Sequence, residues 1–269
     1  MVRDFTLPTR RIGADIDFEA DLNPEQLAVA TAAGGPMLVI AGAGSGKTRA
    51  LTYRLAKLVQ QGVDPGRILL VTFTNRAARE MLGRVEALLG QDLRELWGGT
   101  FHHVANRILR SHGHHVGIRP SFTILDREDA KQLIGSCVDD LGIDTKTRRF
   151  PSKNVLLAIS SFIQNTLDPL EEVLTRRHPN AVDFVDDIRK ILTRYAEKKR
   201  AAQFLDYDDL LTSWLELLVE HATVRDLLAE RFLHILVDEY QDTNAVQGAI
   251  IDLIAQRHRN LCVVGDDSQ

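Results

Sequence analysis

After residue 20 the chain alternates between short apolar runs and amphipathic stretches. Apolar runs of strand length lie at 37–41 and 68–72, and this pattern is typical of buried strands in a parallel sheet. Each run precedes a stretch with apolar residues at helical spacing, which predicts helices from Lys47 onward and over 75–89. The side chains predicted to face inward from these helices are Leu51, Leu55, Leu58, Val59, Ala78, Met81, Leu82, Val85 and Leu89.

The alternation then gives way to a mainly helical region. A third strand is predicted at 97–100 and two further strands at 234–238 and 260–265, with no strand between 126 and 230. Helices are predicted at 127–141, 152–165 and 182–200. This order predicts an α/β fold, in which a parallel sheet carries helices on both faces and the chain is interrupted by an inserted helical subdomain. Trp97 and Trp214 are most simply core residues.

Loss of periodicity and helix-capping residues define the predicted domains. Residues 1–20 lack periodicity and are predicted to form an arm, whereas Asn23 and Pro24 suit the cap and the first position of a helix. The predicted divisions are 1–20 as the arm, 21–115 as the first part of the α/β domain, 116–203 as the helical insertion and 204–269 as the second part of the α/β domain.

Composition narrows the classes of protein that the chain can belong to. With 44% hydrophobic and 26% charged residues among 269, a disordered chain is excluded. No apolar run approaches the ~20 residues that span a bilayer, so no membrane partner is expected. Cys137 and Cys262 lie far apart, and the first residues carry no apolar signal segment. Both observations favour a reducing, cytoplasmic location.

Charge is unevenly distributed along the chain. The net charge is −4, so a globally basic nucleic-acid binder is not indicated. Residues 204–269 nevertheless contain 4 basic and 13 acidic side chains, whereas the preceding residues are slightly basic overall. A polyanion would therefore bind to the first three-quarters of the chain. The acidic end could hold a divalent cation or simply be solvated.

A glycine-rich loop follows the first predicted strand and leads into a helix. The sequence AGAGSGKT at 41–48 departs from the P-loop pattern at its first position, where alanine replaces glycine. Such a loop directs backbone N–H groups toward phosphate oxygens, and the helix N-terminus adds its positive dipole end. Lys47 would reach the outer phosphates, and the hydroxyl of Thr48 would be a ligand of Mg²⁺. The alternative, a glycine turn without a ligand, explains the strand–loop–helix order less well.

The predicted strand at 234–238 ends in two carboxylates. Beside a P-loop, Asp238 would hold Mg²⁺, and Glu239 would deprotonate the attacking water. Apolar runs that end in Asp-Glu are common, and only the P-loop makes this one informative. Asp238 lies 190 residues after Thr48, which requires an inserted domain.

Six segments in order resemble the motifs of UvrD/Rep/PcrA-type superfamily 1 DNA helicases. They are LNPEQ at 22–26, AGAGSGKT at 41–48, VTFTNRAAREM at 71–81, GTFH at 99–102, VDEYQDTN at 237–244 and VGDDSQ at 264–269. The resemblance implies a RecA-like P-loop domain 1A at 21–115 and 204–269, with subdomain 1B at 116–203. It also implies ATP and Mg²⁺ as cofactors.

The resemblance implies a role for each matched residue. Gln26 would read the adenine of ATP, and Gln269 would sense the terminal phosphate, with Lys47, Asp238 and Glu239 as the other catalytic residues. The remaining nucleotide-binding residues would be Ala41, Gly42, Ala43, Gly44, Ser45, Gly46, Thr48 and Arg49. Contacts to single-stranded DNA would come from Phe73, Thr74, Asn75, Thr100, Phe101 and His102. Taken alone, Phe73 would be interpreted as a core residue.

Two basic clusters in the insertion could contact DNA phosphates or could be solvated. The first contains Lys146, Arg148, Arg149 and Lys153 around Phe150, and the second contains Arg189, Lys190, Arg194, Lys198, Lys199 and Arg200.

By resemblance, the chain is expected to be the ATP-binding first motor domain of a helicase. Such a motor moves 3′ to 5′ on single-stranded DNA and unwinds duplex at single-strand/double-strand junctions. It would act in DNA repair or replication with protein partners, and its oligomeric state is left open. Alternatives are the motor of a RecB/AddA-like helicase–nuclease, or a non-motor module that binds ATP and single-stranded DNA. A small-molecule P-loop kinase would not explain segments 71–81 and 264–269.

Family members continue with a second RecA-like domain, which supplies arginines to the phosphates. This second motor domain is absent from residues 1–269. We therefore expect this chain alone to bind ATP weakly and hydrolyse it slowly, even with single-stranded DNA, because those arginines are worth orders of magnitude in rate. Steady-state ATPase assays with and without single-stranded DNA measure this. A DNA-stimulated turnover above about 1 s⁻¹, an ordinary rate for enzymes, would contradict the expectation.

Overall fold

A computed structural model describes residues 16–42, 44–145 and 149–266 of the chain. The strands are β1 (Met37–Ile40), β2 (Ile68–Thr72), β3 (Trp97–Thr100), β4 (Thr123–Ile124), β5 (Phe204–Leu205), β6 (His234–Val237) and β7 (Leu261–Gly265). The first helices are α1 (Phe18–Asp21), α2 (Pro24–Thr31), α3 (Lys47–Gln60), α4 (Asn75–Leu89), α5 (Phe101–His112) and α6 (Arg127–Asp140). They are followed by α7 (Lys153–Thr166), α8 (Leu170–Arg177), α9 (Val185–Ala202), α10 (Tyr207–Glu220), α11 (Ala222–Arg231) and α12 (Ala245–Ala255). Within these ranges no helix is both long and apolar enough to cross a membrane.

The chain divides into two compact units. The first comprises Met1–Thr100, Arg231–Asp242 and Arg257–Gln269, as far as these are described, and contains β1, β2, β3, β6 and β7. The second comprises Phe101–Glu230 and Thr243–Gln256 and contains β4, β5 and most of the helices. The domain boundaries predicted at residues 20, 115 and 203 stay predictions.

The first unit is built on a parallel sheet. Its described strands lie in the order β1-β7-β6-β2-β3, and all neighbouring pairs run parallel. All residues of β2 are buried, as expected for an inner strand. The predicted α/β class is confirmed, and the five predicted strands agree with the structure to within a residue at each end.

The burial of β1 differs from the prediction. Leu38 and Ile40 are 62% and 57% exposed, whereas Met37 and Val39 pack against the core. β1 lies at an edge of the sheet, next to β7. The prediction of a buried strand was wrong here, because an apolar run indicates strand propensity and not the position of the strand within its sheet.

Helices α3 and α4 pack on one face of this sheet. Ile68 and Leu70 alternate along β2 to face them, as Cys262 and Val264 do along β7. The inward-facing positions predicted from helical spacing are confirmed: all are buried except Leu82, which is half-buried and packs against the same core. This core fixes the N-terminus of α3 at the end of β1.

In the second unit α6, α7, α8 and α9 surround a core of their own. The helices predicted at 127–141, 152–165 and 182–200 correspond to α6, α7 and α9. The segments that lead into and out of these helices pair in parallel as β4 and β5. β5 lies where no strand was predicted, since two residues are too few to show an alternating pattern.

A buried ion cluster joins α9 to the start of α10. Lys199 Nζ lies 2.5 Å from Asp206 Oδ2 and 2.6 Å from Asp209 Oδ2, and the Tyr195 hydroxyl donates to Asp206 at 2.9 Å. Burial and the charge of Asp206 raise the pKa of Asp209 to about 6. Although burial opposes it, Lys199 lowers the pKa of Asp206.

The raised pKa of Asp209 predicts a pH-dependent stability. Its folded-state pKa of about 6 exceeds the ordinary value of about 3.9, so its contribution is fully present below the ordinary value and is lost as the pH rises through about 6. Between pH 7 and pH 5, we expect the free energy of unfolding of the wild type, relative to Asp209→Asn, to rise by about 1 kcal/mol. Urea titrations at both pH values measure this difference.

The exposed Asp226 supplies a matched control for this experiment. The variant Asp226→Asn removes the same charge, and its stability relative to the wild type should not change between the two pH values. A pH-independent difference between the wild type and Asp209→Asn would contradict the prediction.

Candidate functional site

The site residues lie at the carboxyl ends of the parallel strands. The glycine loop follows β1, Phe73 follows β2, Asp238 follows β6 and Asp266 follows β7. Because these strands run parallel, their carboxyl ends meet at one edge of the sheet, where α/β proteins bind their ligands. The edge brings together side chains that are far apart in sequence.

Positive φ angles and one side-chain hydrogen bond shape the described part of the glycine loop. Gly44 and Gly46 have φ angles of +79° and +86°, in the left-handed region that glycine tolerates. The Ser45 hydroxyl donates to the Gly42 carbonyl at 2.7 Å. Gly46 is the N-cap of α3 and makes no side-chain cap hydrogen bond, so the first N–H groups of the helix are oriented toward the loop. Ala41 and Gly42 join this loop to β1, and Ala43 lies outside the described residues.

The two predicted site residues that begin α3 each face a carboxylate. Lys47 Nζ lies 3.4 Å from Asp266 Oδ2, and the two side chains are 9% and 2% exposed. The Thr48 hydroxyl donates to Asp238 Oδ2 at 3.3 Å. The structure therefore places the P-loop lysine and the acidic strand end in one site.

Asp238 is held in a rigid and buried position. Its N–H continues the sheet by donating to the Val71 carbonyl at 2.9 Å, and the residue is 4% exposed. Burial and the charge of Glu239 raise the pKa of Asp238, whereas the Thr48 hydroxyl and Lys47 lower it. A buried carboxylate in this environment would be stabilised by a cation.

Gln26 contacts the glycine loop directly. Its Nε2 donates to the Ser45 carbonyl at 3.0 Å, and its Oε1 accepts the Asn23 N–H at 3.3 Å within a capping box. The predicted cap at Asn23 is confirmed. Arg49, the third residue of α3, donates to the Asp21 carbonyl at 2.8 Å and lies above the ring of Tyr53.

The junction between β2 and α4 contributes the next group of predicted residues. Phe73 is 64% exposed, so the interpretation of this residue as core is wrong. The Thr74 hydroxyl caps α4 by accepting the Ala77 N–H at 3.1 Å, and Asn75 is the exposed first residue of that helix. The junction is thus well ordered by its own hydrogen bonds.

A pocket of about 400 Å³ connects this junction to the acidic strand end. Its lining residues are Thr48, Thr72, Phe73, Thr74, Ala77, Glu80, Met81, Arg84, Asp238, Glu239 and Asp242. Residues predicted to hold nucleotide and residues predicted to hold DNA therefore line the same pocket.

The remaining predicted DNA contacts are divided between the two units. Thr100 ends β3, in register with Thr72 of β2. Phe101 begins α5 in the second unit and is buried, with 6% exposed. His102 is half-buried, with its ring edge-on to Tyr207 at 5.7 Å; burial lowers its pKa, although Asp208 opposes this.

Sequence reasoning missed two residues that contact the predicted site residues. Asp266 pairs with Lys47, and Gln241 donates to Glu239 at 2.7 Å. Both stood within quoted motifs but received no role. The position of Asp266 directly after a strand was a usable signal, since Asp238 occupies the same kind of position. Gln269 lies outside the described residues.

The basic cluster on α9 is largely compensated by acidic neighbours. Its ion pairs are Arg189 with Glu171 and Asp186, Lys190 with Asp187, Arg194 with Asp140 and Glu197, Lys198 with Asp140, and Lys199 with Asp206 and Asp209. A compensated surface attracts a polyanion less strongly than its cation count suggests. Of the other cluster, Lys146 and Arg148 lie outside the described residues.

The fold and site together define a class of protein. A parallel sheet with a glycine loop after one strand and buried aspartates after two others is a P-loop domain of RecA-like type. The model of the UvrD/REP helicase N-terminal domain matches residues 22–269. The chain therefore belongs to this family, as the motif resemblance predicted.

Several curated relatives are bacterial helicases. The ATP-dependent DNA helicase PcrA of Leuconostoc citreum is 40% identical over 252 residues, and PcrA of Bacillus subtilis (strain 168) is 39% identical over 249. The ATP-dependent DNA helicase UvrD1 of Mycobacterium tuberculosis (strain H37Rv) is 38% identical over 257 residues. Each alignment covers 92% of this chain and 33% of the relative. The chain thus spans about a third of the length of these relatives and matches a helicase N-terminal motor region.

Proposed function

We propose that this chain binds ATP with Mg²⁺ and couples its hydrolysis to a grip on single-stranded DNA, as the first motor domain of a helicase. The observation that carries the proposal is the shared pocket, which Thr48, Asp238 and Glu239 line together with Phe73 and Thr74. A change at the phosphates then acts on the DNA-contacting junction within one small volume. The names of the relatives, which are ATP-dependent DNA helicases, agree with this proposal.

The site fits the phosphates of a nucleotide. A Cβ added at Gly44 would have no described atom within 4 Å, and at Gly46, where φ is +86°, a side chain would be strained and its Cβ would displace Gln26 Nε2, which lies 2.3 Å away. Backbone N–H groups of the loop and the start of α3 would surround the phosphates, and Lys47 would neutralise the outer ones. To bind adenine, the Gln26 side-chain amide would have to give up its hydrogen bonds to the Asn23 N–H and the Ser45 carbonyl.

The site also fits a magnesium ion. The Thr48 hydroxyl and the Asp238 carboxylate are 3.3 Å apart and offer the oxygen ligands that Mg²⁺ prefers. The raised pKa of Asp238, caused first by burial and then by Glu239, indicates a carboxylate that a cation would stabilise. When bound, Mg²⁺ supplies charge neutralisation at the phosphate oxygens.

Glu239 is the proposed general base. It takes a proton from a water molecule whose oxygen forms a bond to the terminal phosphorus, while the bond from that phosphorus to the bridging oxygen breaks. ADP keeps the bridging oxygen, and inorganic phosphate is released. Lys47 stabilises the charge that develops, and Gln269 is proposed to sense the terminal phosphate.

Phe73 is the proposed stacking platform for DNA. An exposed aromatic ring offers a face to any base, which gives binding without sequence preference. Thr74, Asn75 and Thr100 of the first unit would contact phosphates or sugars, and His102 of the second unit is proposed as a further contact to DNA. Phe101, being buried, would act through packing rather than by stacking.

The wider role is proposed from the relatives and from the motif resemblance. We propose 3′-to-5′ movement on single-stranded DNA, unwinding at junctions and a role in repair or replication in the cytoplasm. The α/β parts at 21–115 and 204–269 would form the motor domain, and 116–203 the inserted subdomain.

Lys47→Ala tests the nucleotide site. The variant removes the charge that phosphates would meet, so we expect the affinity for a fluorescent ATP analogue with Mg²⁺ to fall about tenfold or more. Fluorescence titration measures the affinity, and Lys57→Ala on the same helix is the matched control. Equal affinities for Lys47→Ala and the wild type would contradict the proposal.

Phe73→Ala tests the DNA contact. Loss of one stacked base costs about 1–3 kcal/mol, so we expect affinity for a labelled single-stranded oligonucleotide to fall roughly tenfold. Phe73→Trp should restore it, because the aromatic face is kept. Fluorescence anisotropy measures both variants, and binding by Phe73→Ala at the wild-type level would exclude stacking on this ring.

A further inference from the structure

Gln241 uses both ends of its side-chain amide within the acidic site. Its Nε2 donates to Glu239 Oε2 at 2.7 Å, and its Oε1 accepts the backbone N–H of Asp266 at 2.9 Å. These partners fix the orientation of the amide, because an ionised carboxylate can only accept and a backbone N–H can only donate. The amide therefore bridges the end of β7 to Glu239 in one defined direction.

Asp266 also connects this bridge to the P-loop lysine. Its carboxylate lies 3.4 Å from Lys47 Nζ, and both side chains are almost fully buried. Salt screens a buried ion pair weakly. A phosphate that binds at Lys47 must therefore compete with Asp266 for the same positive charge.

The surroundings leave the bridge little freedom. A Cβ at Gly265 would lie 3.0 Å from Gln241 Oε1, so a side chain there would crowd the amide. Glu239 has a φ angle of +54°, which is uncommon for a residue other than glycine. Hydrogen bonds hold this conformation: the Glu239 N–H donates to Asp238 Oδ1 at 3.2 Å, and its carbonyl accepts the Asp242 N–H at 3.0 Å. A shift at the end of β7 would therefore move the Glu239 carboxylate more readily than its backbone.

We propose that Gln241 is a positioning residue, which links occupancy of the Lys47 site to the placement of the Glu239 carboxylate. This inference rests on the proposed function, in which Glu239 is the general base. Without nucleotide, Asp266 neutralises Lys47. When a triphosphate takes over the charge of Lys47, the ion pair between Lys47 and Asp266 is broken, and the Asp266 backbone N–H transmits the change through Gln241 to Glu239.

Two substitutions test separately the hydrogen bond from Gln241 to Glu239 and the ion pair between Asp266 and Lys47. Gln241→Glu keeps the acceptor for the Asp266 N–H but loses the donor to Glu239. Asp266→Asn removes the competing charge but keeps the backbone hydrogen bond. The measurements are binding of a fluorescent ATP analogue with Mg²⁺, and single-turnover hydrolysis with protein in excess over ATP, which resolves slow rates.

The two variants should differ in which measurement they change. We expect Asp266→Asn to bind the analogue about fivefold more tightly than the wild type, because the carboxylate charge that pairs with Lys47 is removed. We expect Gln241→Glu to keep an affinity close to that of the wild type and to hydrolyse ATP about a hundredfold more slowly, as loss of a general base would. If Gln241 had only a structural role, its substitution would not lower the hydrolysis rate while leaving the affinity for the ATP analogue unchanged.

Matched controls are available at exposed positions. Gln61→Glu makes the same chemical change at the exposed C-cap of α3, about 20 Å from Lys47 by the rise of a helix. Asp226→Asn makes the matching change for Asp266. Both controls should leave binding and hydrolysis unchanged. If Gln241→Glu fails to fold, Gln241→Leu takes its place in both measurements; it removes both hydrogen bonds of the bridge and adds no charge.

Each outcome decides between the possibilities. An unchanged single-turnover rate in the folded Gln241 variant would overturn the positioning role. Weaker or unchanged binding by Asp266→Asn would overturn the competition between Asp266 and phosphate. If Lys47→Ala binds the analogue as well as the wild type does, the proposed function fails, and this inference fails with it. Loss of binding in Lys47→Ala, combined with wild-type behaviour of both test variants, would overturn this inference alone.

Discussion

The parallel direction of the strands in the first unit is the constraint on which the site depends. Parallel strands place all their carboxyl ends at one edge, so the loops after β1, β2, β6 and β7 converge there. An antiparallel neighbour would end at the opposite edge. This geometry brings the Thr48 hydroxyl to 3.3 Å from Asp238, although the two residues are 190 positions apart in sequence. It also explains how a long helical segment can interrupt the chain without disturbing the site, since the sheet alone sets the position of each strand end.

This edge of the sheet carries both positive and negative groups, and a nucleotide bound with its metal ion would offer a charge of opposite sign to each. Lys47 and the N-terminus of α3 favour a polyanion, and Asp266 neutralises only the lysine. Asp238 and Glu239 are adjacent acids, and the pKa of Asp238 is raised by burial and by that neighbour. A divalent cation favours the ionised form of such a carboxylate. On the proposed function, a nucleotide and its metal ion supply both charges together. The site is therefore better suited to the complex of the two than to either alone.

Periodicity was sufficient to predict the elements but not their surroundings. Residues at helical spacing, such as Leu55 and Val85, are buried because one face of an amphipathic helix must meet the sheet. A single apolar run does not show where its strand lies in the sheet. The exposure of Leu38 on the edge strand β1 could therefore not be predicted from the sequence. Phe73 shows the same limit, since an aromatic residue after a strand is equally consistent with the core. Gln241 was missed because its role depends on a contact with Asp266, 25 positions later, which only the fold creates.

The exposure of Phe73 agrees with the stacking role proposed for it. Burying a phenylalanine side chain stabilises a fold by about 1.5–3 kcal/mol, and this position forgoes most of that gain with 64% of its surface exposed. The Thr72 hydroxyl donates to the Thr74 carbonyl at 2.8 Å, and the Thr74 hydroxyl caps α4. An exposed ring held at a fixed junction is accessible to a base, as the proposed stacking requires. This junction also lines the pocket of Asp238 and Glu239. On the proposed function, a movement of those carboxylates would therefore change the surroundings of the Phe73 ring.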